Sequence, residues 1–161
     1  MTQLNPVSLE QLSALEHEVR LPSYPKFHVP EFKVIAYAGT YRSGSQGKDD
    51  ALYITATAAA AHKAWYTESI VIDFSCLRYD WGDEMQWVLN IGQQAPATCH
   101  YPLAIIVGPD CEQALRTLIP GEYDDHCATS LEDAITLLVG KRSAYRQCLA
   151  AWRTKPVVRT D

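Results

Sequence analysis

The amino-acid sequence predicts a single α/β domain, with helices packed on a mostly parallel or mixed sheet of four or five strands. Its 161 residues fit one ordinary domain. Continuous apolar runs at about 69–75 and 102–108 indicate strands buried on both faces, which is typical of parallel strands. Segments with helical spacing lie between the predicted strands, and this alternation is typical of a sheet covered by helices.

The first thirty residues (1–30) are expected to add a helix and an extended connector to this core. A capping-box sequence at 8–11 precedes leucines at helical intervals, which predicts a helix over about 8–20. Three prolines between positions 22 and 30 exclude a further helix there. The segment 32–40 is rich in β-forming residues and predicts the first strand.

The core is expected to span 31–140, and 141–161 is expected to form the basic end of the last helix and a tail. The glycine-containing loop at 42–47 lacks the Lys and Ser or Thr of a phosphate-binding P-loop. Periodic apolar residues predict the helices, and a short acidic segment is expected to hold one edge strand. The helices span about 49–66, 85–91, 110–119 and 130–155, and the edge strand lies within 122–129.

The sequence indicates no membrane segment and no export signal. Apolar runs such as 103–107 are far shorter than the roughly 20 residues that cross a bilayer. The segment 1–6 lacks the basic patch and apolar stretch of a signal peptide. We therefore expect a cytoplasmic protein.

The cysteines are expected to be reduced, buried and free of metal. Their number is odd, no pair has C-x-x-C spacing, and each lies in or beside an apolar segment. They are Cys76, Cys99, Cys111, Cys127 and Cys148. Two of them adjoin His100 and His126, but structural zinc sites use ligands spaced two to four residues apart. The sequence therefore predicts no metal and no other cofactor.

Charge is distributed unevenly along the chain, whose net charge is −5. Residues 68–133 hold twelve acids against two bases, whereas 134–161 hold six bases against one acid. An acidic middle segment repels phosphate backbones and attracts basic surfaces. We therefore expect a basic protein partner. We expect no nucleic-acid binding, except through the basic tail.

Two acidic positions each allow a functional and a structural interpretation. Asp73 closes a buried strand, where α/β proteins place functional groups, but it also suits the capping of the next turn. We favour the capping. The segment 80–85 sets Trp81 among three carboxylates, a composition typical of binding hot spots. Alternatively, Trp81 enters the core, Gly82 permits a tight turn and Asp83 caps the next helix.

The segments 70–77, 103–108 and 130–135 occur in an order that resembles the STAS domains of anti-sigma-factor antagonists. The resemblance covers about 32–140 and implies a four- or five-stranded sheet that serves protein–protein contact. The phosphorylated serine of that family has no counterpart here, since the matching stretch, 80–83, contains no serine. The resemblance therefore implies a regulatory module that binds a kinase, a sigma-factor regulator or a transporter, without the phosphorylation switch.

No catalytic nucleophile motif such as G-x-S-x-G occurs, so we expect a protein that is not an enzyme. A small acidic chain of this kind is similar to the immunity proteins that bacteria keep against secreted toxins. Such an inhibitor needs only a surface complementary to a basic toxin. Both acidic stretches are expected to meet at one edge of the sheet. The candidate partner-binding residues are Asp80, Trp81, Asp83, Glu84, Glu122, Tyr123, Asp124 and Asp125. The alternatives are the STAS-like module and a small enzyme that uses Asp73, His100 or His126.

Overall fold

The computed structural model describes residues 3–23, 29–93 and 98–154, and within them five strands form one mixed sheet. The order along the sheet is β1-β2-β3-β4-β5, with β1 antiparallel to β2 and the other neighbours parallel. This confirms the α/β class and the mixed sheet. The strands are β1 (Glu16–Arg20), β2 (Lys33–Thr40), β3 (Ile70–Arg78), β4 (Leu103–Val107) and β5 (Cys127–Ala128).

Four α-helices and three 3₁₀ helices connect and cover these strands within the described ranges. The α-helices are α1 (Gly47–Ala64), α2 (Glu112–Leu118), α3 (Tyr123–His126) and α4 (Leu131–Arg153). The 3₁₀ helices are Leu9–Gln11, Gly44–Gln46 and Met85–Asn90. None of the helices in the described part of the chain is both long enough and apolar enough to cross a membrane.

The predicted helix over 8–20 is wrong, because the chain makes one 3₁₀ turn and then pairs with the sheet as β1. The capping box does form, and the Ser8 amide donates to Gln11 Oε1 at 3.2 Å. The turn ends where Ser13 Oγ donates to the buried Asp50 carboxylate at 2.5 Å. The strand β1 then pairs antiparallel with the edge of β2 that would otherwise lack a partner strand. Part of the proline-rich connector, 24–28, lies outside the described residues.

The two faces of the sheet are covered by different helices. Side chains of α1, of the 3₁₀ helix Met85–Asn90 and of α2 pack with β2, β3 and β4 in one large cluster. Strands that follow chain order and share one handedness of crossover place their connecting helices on the same face. The other face is covered by α4, whose Ala134 and Leu138 pack against Val71, Ala104 and Ile106.

Burial on both faces holds for all of β4 but only for the first half of β3. Residues Ile70 to Ile72 are buried, whereas Asp73 is half-buried and Ser75 is exposed. The expectation is therefore wrong at the carboxyl end of β3. The reason is that α4 packs over β4 and β5 and does not cover this part of the sheet.

The expectation that every cysteine is reduced is also wrong. A disulfide joins Cys99, in the segment before β4, to Cys148 of α4. Of the free thiols, Cys111 and Cys127 are buried as expected, but Cys76 is exposed. The disulfide partners lie 49 residues apart, so their pairing has no local signature in the sequence.

Candidate functional site

The two acidic stretches lie at opposite edges of the parallel strands, so the expectation that they meet is wrong. We call the edge formed by the ends of β2, β3 and β4 the carboxyl edge, and the edge where they begin the amino edge. Asp80 and Trp81 line a groove with Pro109, just beyond β4 at the carboxyl edge. Glu122 and Asp125 line a pocket at the amino edge, because α3 comes before β5.

Backbone contacts fix the loop that carries Trp81. The Asp83 amide donates to Gly44 O at 3.0 Å, and Tyr41 Oη donates to Asp83 O at 2.6 Å. A Cβ on Gly82 would lie 2.6 Å from Arg42 O, so only glycine fits there without a shift of the backbone. Gly82 is thus required by close packing, whereas the turn itself lies at Asp83 and Glu84, with Glu84 in the left-handed region at φ 68°. The following helix shows no side-chain cap, so the capping role expected for Asp83 is wrong.

The Trp81 side chain is 61% exposed, so its expected alternative place in the core is wrong. Its ring lies over Gly44, where an added Cβ would meet Trp81 Cη2 at 3.2 Å. The indole thus rests on backbone and presents its outer surface to solvent. An aromatic side chain with two rotatable bonds on a fixed loop loses little conformational entropy when a partner binds it.

Carboxylates surround this indole on the exposed surface. Trp81 borders a groove of about 590 Å³ that also includes Asp80 and Asp110. Asp83 is exposed and Glu84 is half-buried in the same loop. Arg78 Nε lies 3.6 Å from Asp80 Oδ2, but both side chains are more than half exposed, so water screens this pair.

The second acidic stretch differs from the first because its aromatic ring is buried. Tyr123 is only 5% exposed, so its predicted role as an exposed binding anchor is wrong. The Arg116 guanidinium covers its ring at 4.0 Å from the centroid. Asp124 is exposed and lies 3.8 Å from Arg116 Nη1, so water screens this pair as well.

A pocket of about 1010 Å³ lies at the amino edge, between α4, α3 and the segment before β4. Its wall includes Lys141 of α4, whose Nζ donates to Leu103 O at 2.7 Å and contacts His126 Nδ1 at 2.9 Å. Glu122 Oε2 lies 3.9 Å from the other ring nitrogen of His126. The disulfide cysteines also line the pocket.

Burial sets the protonation of this pair. It lowers the pKa of Lys141 to about 8. Burial also lowers the pKa of His126, and the charge of Lys141 lowers it further. Both groups therefore lose their protons more readily than exposed lysine and histidine do.

A second Lys–His pair lies deeper at the same edge. Lys33, the first residue of β2, is fully buried, and its Nζ contacts His62 Nδ1 at 3.3 Å. It also donates to Ala61 O at 3.4 Å and to Trp65 O, the last carbonyls around the end of α1. Burial lowers the pKa of Lys33 to about 8. This amine anchors α1 to the sheet.

The sequence predicted His126 as a candidate but missed Lys141 and Lys33. One signal for Lys141 was available, because Leu138, Lys141 and Tyr145 fall at helical intervals on one face of the last predicted helix. A lysine among apolar residues on a core-facing stripe indicates a buried amine.

The other catalytic candidates do not gather around His126. Asp73 lines a groove beside β1, and its Oδ1 accepts from the Ser75 amide at 2.9 Å, as the favoured capping interpretation expects. His100 is exposed and lines the amino-edge pocket. Within residues 3–23, 29–93 and 98–154, no group of three or more His, Cys, Asp or Glu side chains is placed to hold a metal ion.

In comparisons with known proteins, no family model matches the chain, and no curated protein matches its sequence.

Proposed function

We propose that this protein is a non-catalytic inhibitor that binds a basic protein, as immunity proteins bind toxins, through an acidic surface at the carboxyl edge. This carboxyl-edge patch consists of Asp80, Trp81, Asp83, Glu84 and Asp110. The observation that carries the proposal is the solvent-exposed Trp81 indole, held on a fixed loop among carboxylates.

Anchoring and steering come from different members of the patch. An exposed tryptophan supplies a large contact area, and tryptophan is among the residues most enriched at binding hot spots. Carboxylates in water contribute little to final affinity but attract a basic partner from a distance and raise the association rate. Trp81 is thus expected to set the dissociation rate, whereas Asp80 and Asp83 set the association rate.

The structure of the loop favours binding over catalysis at this edge. Its charged groups are carboxylates, of which Asp80 and Asp83 are exposed, and the segment from Tyr79 to Glu84 contains no histidine, cysteine or lysine. The Tyr41 and Gly44 contacts already hold the loop in place, so a partner need not order it. Preorganisation of this kind raises affinity because it lowers the entropy cost of binding.

The first experiment is capture of partners from native lysate, followed by surface plasmon resonance with the purified partner. We expect Trp81→Ala to weaken binding at least about tenfold, mainly through faster dissociation. The double variant Asp80→Lys, Asp83→Lys is expected to slow association. A matched control, Asp124→Lys, Asp125→Lys, makes the same charge change at the amino edge and should bind within about twofold of wild type.

The identity and charge of the captured partner decide the class of function. A basic toxin domain supports the proposal, whereas a kinase, sigma-factor regulator or transporter supports the STAS-like alternative. Folded carboxyl-edge variants that bind as tightly as wild type at low salt would overturn the role of the patch, whichever partner is found.

A further inference from the structure

We propose that the amino-edge pocket binds small, neutral, polar aldehydes, which form an imine with the Nζ atom of Lys141. This inference concerns a different surface from the carboxyl-edge patch and does not depend on the proposed inhibitor function. It rests on the position of one amine, on the neutral groups to which that amine is hydrogen-bonded, and on the pocket beside it.

The hydrogen bonds of Lys141 are made to neutral groups. Its Nζ is hydrogen-bonded to the carbonyl of Leu103 and to an imidazole nitrogen of His126. Among residues 3–23, 29–93 and 98–154, no carboxylate forms an ion pair with it at 4.0 Å or less. An ordinary lysine amine is protonated at neutral pH because its pKa is about 10.4. Burial of Lys141 favours the neutral amine, which is the nucleophile.

Several titratable groups face this amine from the neighbouring elements. Asp125 of α3 and Cys127 of β5 act to raise the pKa of Lys141, but burial outweighs both. Glu122 lies beyond His126 and approaches the imidazole, not the amine. His100 and Tyr145 line the same pocket. The net result is an amine that is partly neutral near neutral pH.

Access separates Lys141 from the other lysine of this kind. Lys33 has a similar set of neighbours, a histidine nitrogen and backbone carbonyls, but it is fully buried. Lys141 is half-buried and borders a pocket of about 1010 Å³, which is large enough for a small organic ligand. We call Lys33, which is buried, the closed amine, and Lys141, whose side chain borders the pocket, the open amine.

The chemistry of the wall selects the class of aldehyde. The carboxylates of Glu122 and Asp125 line the pocket and disfavour an anionic ligand. The side-chain amides of Gln86, Asn90 and Gln93 supply donors and acceptors for hydroxyl groups. A neutral hydroxyaldehyde satisfies both conditions.

The reaction balances without an oxidant or a reductant. The Nζ lone pair attacks the carbonyl carbon, a C–N bond forms, and the carbonyl oxygen becomes the hydroxyl of a carbinolamine. The nitrogen loses its protons, the hydroxyl leaves as water, and a C=N bond remains. His126 Nδ1 lies 2.9 Å from Nζ, within reach to accept a proton from the nitrogen and return it to the leaving hydroxyl.

The test is reductive trapping with glycolaldehyde and cyanoborohydride on the full chain, with modified lysines quantified by peptide mass spectrometry. We expect Lys141 to be modified at least about tenfold faster than the exposed Lys63 at pH 7, because burial lowers the pKa of Lys141 to about 8 and so raises its fraction of free amine. The Lys141 rate should saturate with glycolaldehyde concentration, whereas the Lys63 rate should rise linearly. Lys33 should stay unmodified while the protein is folded.

Two variants keep the result interpretable. His126→Gln should lower the rate at Lys141 relative to Lys63 in the same folded sample, and Lys63→Arg should leave the rate at Lys141 unchanged. Circular dichroism confirms the fold of each. Modification of Lys141 no faster than that of Lys63, or a Lys141 rate without saturation, would overturn the proposal.

Discussion

The two edges of the parallel strands differ in whether their charged side chains are exposed or buried. At the carboxyl edge, carboxylates lie in water around Trp81, on a loop that backbone contacts hold in place. At the amino edge, Lys33 is buried and Lys141 is half-buried, and the amines of both form hydrogen bonds with backbone carbonyls and histidine side chains. Exposed charge costs little stability and suits recognition, whereas a buried amine costs stability and suits anchoring or chemistry.

The two amines of the amino edge also differ from each other. Lys33 starts β2 and is closed off beneath the end of α1, so its role is structural. Lys141 makes similar contacts but borders the pocket. Changing one of these structural contacts at a time tests this comparison.

The largest effect is expected from the disulfide that fastens α4 to the segment before β4. Replacing Cys99 and Cys148 with serine should lower the free energy of unfolding by about 4 kcal/mol, because the bond closes a loop of 49 residues in the unfolded chain. Urea unfolding measures the change. The control Cys76→Ser removes an exposed free thiol and should stay within about 0.5 kcal/mol of wild type. Equal stability with and without a reductant would contradict the bond's role.

The closed amine should matter more to stability than the open one. Lys33→Ala is expected to cost about 3 kcal/mol, since it empties buried space and leaves Trp65 O without the amine. Lys141→Ala should cost about 1 kcal/mol, because its side chain borders solvent. Thermal and urea unfolding of both variants give the ranking. The reverse ranking would show that Lys141, not Lys33, is the structural anchor.

Raising the pH from 7 to 9 should stabilise wild type relative to Lys33→Ala. The folded pKa of Lys33 is about 8, below its value of about 10.4 in the unfolded chain. Above pH 8 the unfolded state therefore binds more protons, and stability rises with pH until the unfolded lysine also titrates. The gain to pH 9 is about 1 kcal/mol. The buried thiols Cys111 and Cys127 act in the opposite direction, but they are common to both proteins and cancel in the difference.

The smallest expected effect is at Tyr123. Its buried hydroxyl has no hydrogen-bond partner within the described part of the chain, so Tyr123→Phe should leave stability unchanged or raise it by up to about 1 kcal/mol. The matched control is Tyr101→Phe, which removes a hydroxyl that donates to Thr67 O at 2.6 Å and should cost about 1 kcal/mol. A loss of stability at Tyr123 that equals the loss at Tyr101 would indicate a bond that the structure does not show.

Composition and periodicity predicted the parts of the fold that bury apolar surface. The strand β4 was predictable because all of its residues are apolar. The helix α4 was predictable because Ser130 caps it, its Oγ accepting a hydrogen bond from the Asp133 amide at 3.1 Å. The strand β1 was not, because its mostly charged, exposed residues become a strand only through pairing with β2.

The site was less predictable than the fold. The acidic residues were visible in the sequence, but which of them share a surface depends on the edge where each element begins or ends. A four-residue helix places Glu122 and Asp125 at the amino edge, and no local pattern indicated that. The partners of Lys141 come from β4 and α3, which are far from it in the chain.

The most direct test of the two-edge account is the salt dependence of the association rate between the full chain and the basic partner that we propose. Charge reversal at Asp80 and Asp83 should lower the rate at low salt and flatten its dependence on ionic strength, because exposed charges act through screened long-range fields. The same reversal at Asp124 and Asp125 should leave both the rate and its slope close to wild type. Equal losses from the two double variants, or a loss from the amino-edge variant alone, would contradict the assignment of recognition to the carboxyl edge.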